Sequence, residues 1–179
     1  INLPLHQEED IKSRKFYSYT VCKNFEAQGV TKVLLPCFAS HTFIEELQKE
    51  VAVPIVSIYD ALVNHIKPRF KSGSKIGVLT SDYVKESNSI HKIFPDYDLV
   101  FPDKQSLLMK AIYGENGIKN GHLDGISLEY VHEVCTELIE KGCELIIPGI
   151  TDLSLIAEPL WRRGIRFLDA NQIYADYVL

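Results

Sequence analysis

The sequence predicts an α/β fold of two similar lobes, each a parallel sheet flanked by helices, with a cleft between them. Three observations predict it. Apolar strand-like runs alternate strictly with helix-length segments along the whole chain, the pattern of parallel sheets covered on both faces. Glycines stand directly after two long helical segments, at Gly29 and Gly142. The stretches "EAQGVTKVLLPCFASH" and "IEKGCELIIPGITDLS" follow one plan of helix, glycine stop, apolar strand and proline.

The elements follow in order. After a strand-like opening "INLPL", residues 10–28 read as a helix that Gly29 stops. "KVLLP" is a buried strand, Ser40 to Glu50 a second helix, "VPIVSIY" another strand, and a helix then runs through about Arg69. The turn-rich "KSGSK" marks the lobe boundary. Beyond it come strand "IGVLT", a helix from Tyr83 to Phe94, strand "YDLVF" and a helix from Lys104 to Tyr113. A glycine-rich loop "GENGIKNG", a long helix over residues 125–141, strand "ELIIP", a helix from about Leu153, strand "IRFLD" and a final helix complete the chain. The expected division is a first lobe of residues 1–73 closed by about 166–179, and a second lobe of residues 74–165.

Counted from the helix-terminal glycines, Cys37 lies eight residues after Gly29 and Ile150 eight after Gly142. Lobes facing each other would set these two residues on opposite sides of one cleft. The competing reading is that any two strand–helix units share this much of a plan. In open parallel sheets ligands sit beyond the carboxyl ends of the strands, and Cys37 falls at such an end. A free cysteine is also among the most buried residue types, so its position alone leaves a structural role open.

Composition excludes several classes. The 179 residues carry a formal net charge of −5, which offers no basic patch for nucleic acid. No apolar run approaches the roughly 20 residues that span a bilayer. Cys22, Cys37, Cys135 and Cys143 have neither CxxC spacing nor the density of a disulfide scaffold, so a reducing cytoplasm is the expected setting. The six histidines are scattered and form no zinc pattern. A homodimer is left open as the assembly.

Four stretches together resemble the cofactor-independent aspartate/glutamate racemase family, and the likeness covers nearly the whole chain. They are "LLPCFASH", "IGVLTSDYV", "AIYGENGIKNG" and "GCELIIPGITDLSLI". The resemblance implies an isomerase that moves a proton at Cα of a small amino or carboxylic acid, with cysteine thiols as acid and base and no metal or other cofactor. A thiol is useful there when a helix N-terminus or a neighbouring cation favours its thiolate. "Cys37-Phe-Ala-Ser-His41" has the setting of a strand end entering a helix, with Ser40 as a candidate N-cap. Cys37 is therefore the implied catalytic residue. Phe38, Ala39, Ser81, Lys119, Ile150 and Thr151 are the implied substrate-binding positions, Lys119 near the substrate carboxylate. His41 matches the family pattern too, with an ordinary helix-surface histidine as the alternative.

The departures bear on function. Ile150 stands where the second cysteine belongs and cannot carry a proton. Phe38 and Ala39 replace an Asn–Thr pair, Val84 falls near a loop threonine, and Asp152 replaces a Glu. The family's early arginine has no clean match, leaving His6 and Arg14 as candidates. The family also opens with a strand that forms the middle of its first lobe, so the residues given are expected to be an incomplete native chain. Three classes follow. One is a racemase or epimerase for aspartate, glutamate or a less polar amino acid, with another group or a water on the second face. Another is a one-cysteine decarboxylase or cis–trans isomerase. The last is a silent ligand-binding member that keeps the cleft.

Overall fold

The computed structural model describes residues 8–179, with side chains described from residue 10. The candidate His6 and the opening "INLPL" lie outside the described residues. Helix α1 (Glu8–Ala27) leads to strand β1 (Val33–Leu34), the short helices α2 (Phe38–His41) and α3 (Ile44–Glu50), strand β2 (Ile55–Val56) and helix α4 (Ile58–Ile66). Strand β3 (Lys75–Thr80), helices α5 (Asp82–Glu86) and α6 (Ser89–Ile93), strand β4 (Asp98–Val100) and helix α7 (Gln105–Tyr113) follow. A 3-10 turn (Ile118–Asn120), helix α8 (Gly125–Glu140), strand β5 (Leu145–Gly149), a second 3-10 turn (Thr151–Ile156), and helices α9 (Ala157–Arg162) and α10 (Ala170–Val178) complete the described chain.

Among the described residues two parallel sheets result. β1 pairs with β2, and β4, β3 and β5 form a three-stranded sheet with β3 in the middle. All five residues of β5 and the last five of β3 are buried, so this sheet is covered on both faces, as the continuous apolar runs predict. The residues alternate accordingly. Leu79 and Ile146 meet α7 and α8 on one face, while Ile76, Val78, Leu145 and Ile147 meet Ile58, Leu62 and Tyr174 on the other. Pro148 is tolerated in β5 because, among the described residues, the strand's far side makes only an isolated bridge, Ile146 to Phe167. α8 turns Leu128, Val131, Val134, Cys135 and Leu138 inward at helical spacing.

The repeat is visible in atomic detail. After α1, the N–H of Val30 bonds the carbonyl of Phe25 and that of Gly29 bonds Glu26. After α8, the N–H of Cys143 bonds Leu138 and that of Gly142 bonds Ile139. These are the same Schellman stop at the same offsets, and Gly29 (φ +74°) and Gly142 (φ +89°) occupy the left-handed position that each requires.

Several boundaries differ from the sequence reading, for local chemical reasons. "VPIVSIY" is a strand only at Ile55–Val56, because the Ser57 hydroxyl accepts the N–H groups of Tyr59 and Asp60 and starts α4 there. The helix expected over Ser40–Glu50 breaks at Thr42, whose hydroxyl donates to the Ala39 carbonyl at 2.8 Å. The one expected over Tyr83–Phe94 breaks at Asn88, which takes a positive φ of 54°. The Ser87 hydroxyl there donates to the Val84 carbonyl at 2.7 Å and accepts the Ser89 N–H. "IRFLD" contributes the bridge at Phe167 rather than a full strand.

Candidate active site

A cavity of about 290 Å³ opens where the carboxyl ends of β1, β3 and β5 converge. Cys37, Phe38, Ala39, Ser81, Lys119, Ile150 and Thr151 all line it, so the structure brings together every site position expected from the sequence. Arg14, Val84, Tyr113 and Asp152 complete its chemically distinctive wall.

Cys37 and Ile150 occupy matching places. Each is the extended residue that enters a short helical turn, Cys37 at φ −158°, ψ 108° and Ile150 at φ −137°, ψ 120°. The N-cap of α2 is thus Cys37 itself, and Ser40, expected in that role, sits inside the helix. The Cys37 backbone is closely held. Its N–H donates to Leu35 across Pro36 at 2.7 Å, and its carbonyl accepts the N–H groups of Ser40 and His41.

His41 adds a third donor to that carbonyl through Nδ1 at 2.9 Å, while its Nε2 accepts the N–H of Ile58 at 2.9 Å. An acceptor Nε2 means the proton sits on Nδ1, so one neutral tautomer satisfies both bonds. The ring is 4% exposed rather than on the helix surface. Burial pushes its pKa below the ordinary histidine value, against the raising effect of the Cys37 and Val56 backbone and of the Asp60 charge. His41 is a strut between Cys37 and the start of α4.

α2 is a single turn and offers the thiol little dipole. The polar partner of Cys37 is instead Arg14 of α1, whose Nη1 donates to Sγ at 3.7 Å. Arg14 Nε is buried and has no hydrogen-bond partner among the described residues. Of the two arginine-replacement candidates, Arg14 is thereby placed at the cavity.

The Ile150 side carries different groups. Lys119 Nζ lies 2.9 Å from Asp152 Oδ2, with the two side chains 26% and 28% exposed, and 5.5 Å from the centre of the Tyr113 ring. The Tyr113 phenol is held protonated above its ordinary range, chiefly by burial and then by the charges of Asp152 and Cys37. Thr151 donates its hydroxyl to the Pro36 carbonyl at 3.0 Å, and its own carbonyl accepts from Asn171 Nδ2 at 3.1 Å. Ser81 caps α5 by accepting the Val84 N–H. Phe38 packs its ring edge against Tyr59, with centroids 5.7 Å apart.

Sequence reasoning did not single out Tyr113 as a site residue. It ends α7 inside "AIYGENGIKNG", a stretch whose likeness was already noted, and that was the available signal. Among the described residues no group of three or more His, Cys, Asp or Glu side chains could hold a metal ion, and no helix is long and apolar enough to cross a membrane.

Comparison with known proteins agrees with this architecture. The family described as Asp/Glu/Hydantoin racemase matches residues 5–178. Glutamate racemase from Francisella tularensis, solved with D-glutamate, superposes with a TM-score of 0.72 at 17% identity over 99% of this chain and 65% of that one. An aspartate racemase homologue from Pyrococcus horikoshii gives 0.71 at 22% identity, over 96% and 75% of the two chains. Aspartate racemase from Picrophilus torridus gives 0.69 at 17%, over 96% and 69%. The chain thus spans somewhat less than two thirds of the Francisella enzyme's length. By the family match over almost its full extent and by its fold, the chain belongs to the Asp/Glu/hydantoin racemase family.

Proposed function

We propose that the chain is an amino-acid racemase that acts on aspartate, glutamate or a related, less polar amino acid. The reaction is cofactor-independent proton transfer at Cα, with Cys37 as the acid/base group on one face. One observation carries this reading: the Cys37 thiol stands in a cavity at the strand ends with the Arg14 guanidinium 3.7 Å from its sulfur. Removing an α-proton builds negative charge on the carbon and its carboxylate. The Arg14 guanidinium, whose Nη1 lies at the Cys37 sulfur and whose Nε has no hydrogen-bond partner among the described residues, is suited to hold that carboxylate beside the thiolate. Phe38, Val84 and Ile150 add apolar surface to a wall that also carries Ser81, Lys119, Thr151 and Asp152, and that apolar part favours a less polar side chain. The separate pairing of β1 with β2 and of β3 with β4 and β5 supports the two-lobe division at about residue 74, and four free cysteines fit a reducing cytoplasm.

Ile150 favours a second reading. With a proton-carrying group on the Cys37 face alone, the cavity would suit a one-cysteine decarboxylase or cis–trans isomerase. Chiral chromatography separates the two. Enantiomerically pure aspartate, glutamate and apolar amino acids are incubated with the protein and with its Cys37→Ala variant. Inversion of at least one acid, lost in the variant, supports the racemase. Decarboxylated or geometrically isomerised product without inversion, from a panel extended to 2-substituted and unsaturated diacids, assigns the second reading.

A further inference from the structure

Inverting an α-carbon requires a proton donor opposite the one that took the proton away. Cys37 provides one face, and its structural counterpart Ile150 provides no proton. The polar groups on the Ile150 side of the cavity are few, and most are already engaged. The Thr151 hydroxyl is committed to the Pro36 carbonyl at 3.0 Å. The Asp152 carboxylate accepts from Lys119 and, as an acceptor, has no proton to give. Tyr113 is a phenol kept protonated by its surroundings, able to give a proton but rarely to take one.

Lys119 is engaged too, by Asp152, but its ammonium keeps two further protons after making that bond. Its ammonium carries three protons, lies against Asp152 at 2.9 Å and over the Tyr113 ring at 5.5 Å, and stands on the 3-10 turn Ile118–Asn120, which packs against the turn that follows Ile150. Of the groups on that side it is the one that can both give a proton and, once neutral, take one.

We propose that Lys119 is the second-face acid/base residue and takes over the role that a thiol at position 150 would have, an assignment that rests on the racemase reading above. In one direction the Cys37 thiolate takes the α-proton. The S–H bond forms, the C–H bond breaks, and its electron pair remains on the carboxylate-stabilised carbon. A Lys119 N–H bond then breaks as a new C–H bond forms on the opposite face, leaving a neutral amine beside Asp152. Exchange with water returns a proton to Lys119 and removes one from Cys37. The reverse direction starts from thiol and neutral amine. Asp152 is a positioning residue that anchors the amine on the Ile150 side.

The test resolves the two faces by following loss of the α-proton from each pure enantiomer in D₂O by NMR, with the wild-type protein, Cys37→Ser and Lys119→Gln. The expected result is a crossed pattern. Lys119→Gln abolishes exchange of one enantiomer by about 10²–10⁴-fold and leaves the other within about threefold. Cys37→Ser does the opposite, and methylamine partly restores the exchange lost in Lys119→Gln. If Lys119 only binds the substrate carboxylate, Lys119→Gln weakens exchange of both enantiomers alike, chiefly through KM, and the assignment is overturned while the Cys37 reading stands. Absence of Cys37-dependent exchange for either enantiomer overturns the racemase reading and this assignment with it. A circular-dichroism melt of each variant identifies a loss due to unfolding, and in that case Lys119→Arg, which keeps the charge but cannot give up a proton, must show the same one-sided loss.

Discussion

Thr151 donates its hydroxyl to the carbonyl of Pro36 at 3.0 Å, joining positions 115 residues apart in the chain. Pro36 immediately precedes Cys37 and Thr151 immediately follows Ile150, so this bond ties together the two strand ends that flank the cavity. Replacing Thr151 with Val keeps the shape and removes the donor. An exposed neutral hydrogen bond contributes at the low end of about 0.5–1.5 kcal/mol. Urea denaturation of Thr151→Val is therefore expected to show a midpoint only slightly below wild type, with a larger proportional loss in substrate exchange.

The four cysteines should separate by reactivity. Cys22, Cys135 and Cys143 are buried, and burial raises all three thiols, Cys135 to about 12. Cys37 alone among them lines the cavity. Titration with a chromogenic disulfide at neutral pH should reveal one fast thiol and three slow ones, and peptide mapping should place the fast one at Cys37. In Cys37→Ala the fast phase disappears.

Arg14 should make Cys37 selective for anionic reagents. Iodoacetate and iodoacetamide both need the thiolate, so the ratio of their rates cancels its population and reports the field felt by an incoming carboxylate. A guanidinium a few ångströms away in a partly screened site is worth about 1–2 kcal/mol to that charge. Arg14→Met is expected to lower the iodoacetate-to-iodoacetamide ratio at Cys37 by about tenfold, whereas an equal ratio in the two proteins would remove Arg14 as the carboxylate anchor.

His41 sets a pH dependence whose sign is fixed by burial. Its folded pKa lies below the unfolded value of 6.5, so the unfolded state binds the proton more readily. The stabilisation is fully present above pH 6.5 and is lost as pH falls below it toward the folded value, at a slope of at most about 1.4 kcal/mol per pH unit. Protonation also converts Nε2 from an acceptor into a donor facing the Ile58 N–H. Urea midpoints measured from pH 8 to pH 5 should decline more steeply for wild type than for His41→Gln.

The fold was legible wherever a strand or helix states its own ends. Gly29 and Gly142 announce Schellman stops, and the apolar runs of β3 and β5 announce a sheet buried on both faces. The cavity was legible for the same reason: Ser81 and Ile150 directly follow β3 and β5, Cys37 comes three residues after β1, and ligand sites form beyond the carboxyl ends of parallel strands. Arg14 was harder to place, since it reaches Cys37 from a helix 23 residues earlier and nothing local marks its direction. The broken helices were hidden because Thr42 and Ser87 act through side-chain bonds to the backbone, which compete with helix continuation only in the folded context. The choice between the two readings of His41 was not legible because its burial depends on Ile58, Tyr59 and Tyr174, which come from other elements.

The most direct measurement of the central claim is α-proton exchange in D₂O, followed by NMR across amino acids of graded side-chain polarity, for wild type against Cys37→Ala at equal concentration. The account predicts that at least one amino acid loses its α-proton signal with wild type, that the rate falls by about 10²–10⁴-fold in Cys37→Ala, and that less polar side chains exchange better than aspartate. Exchange that is equally fast in Cys37→Ala, with aspartate as the best substrate, would contradict it.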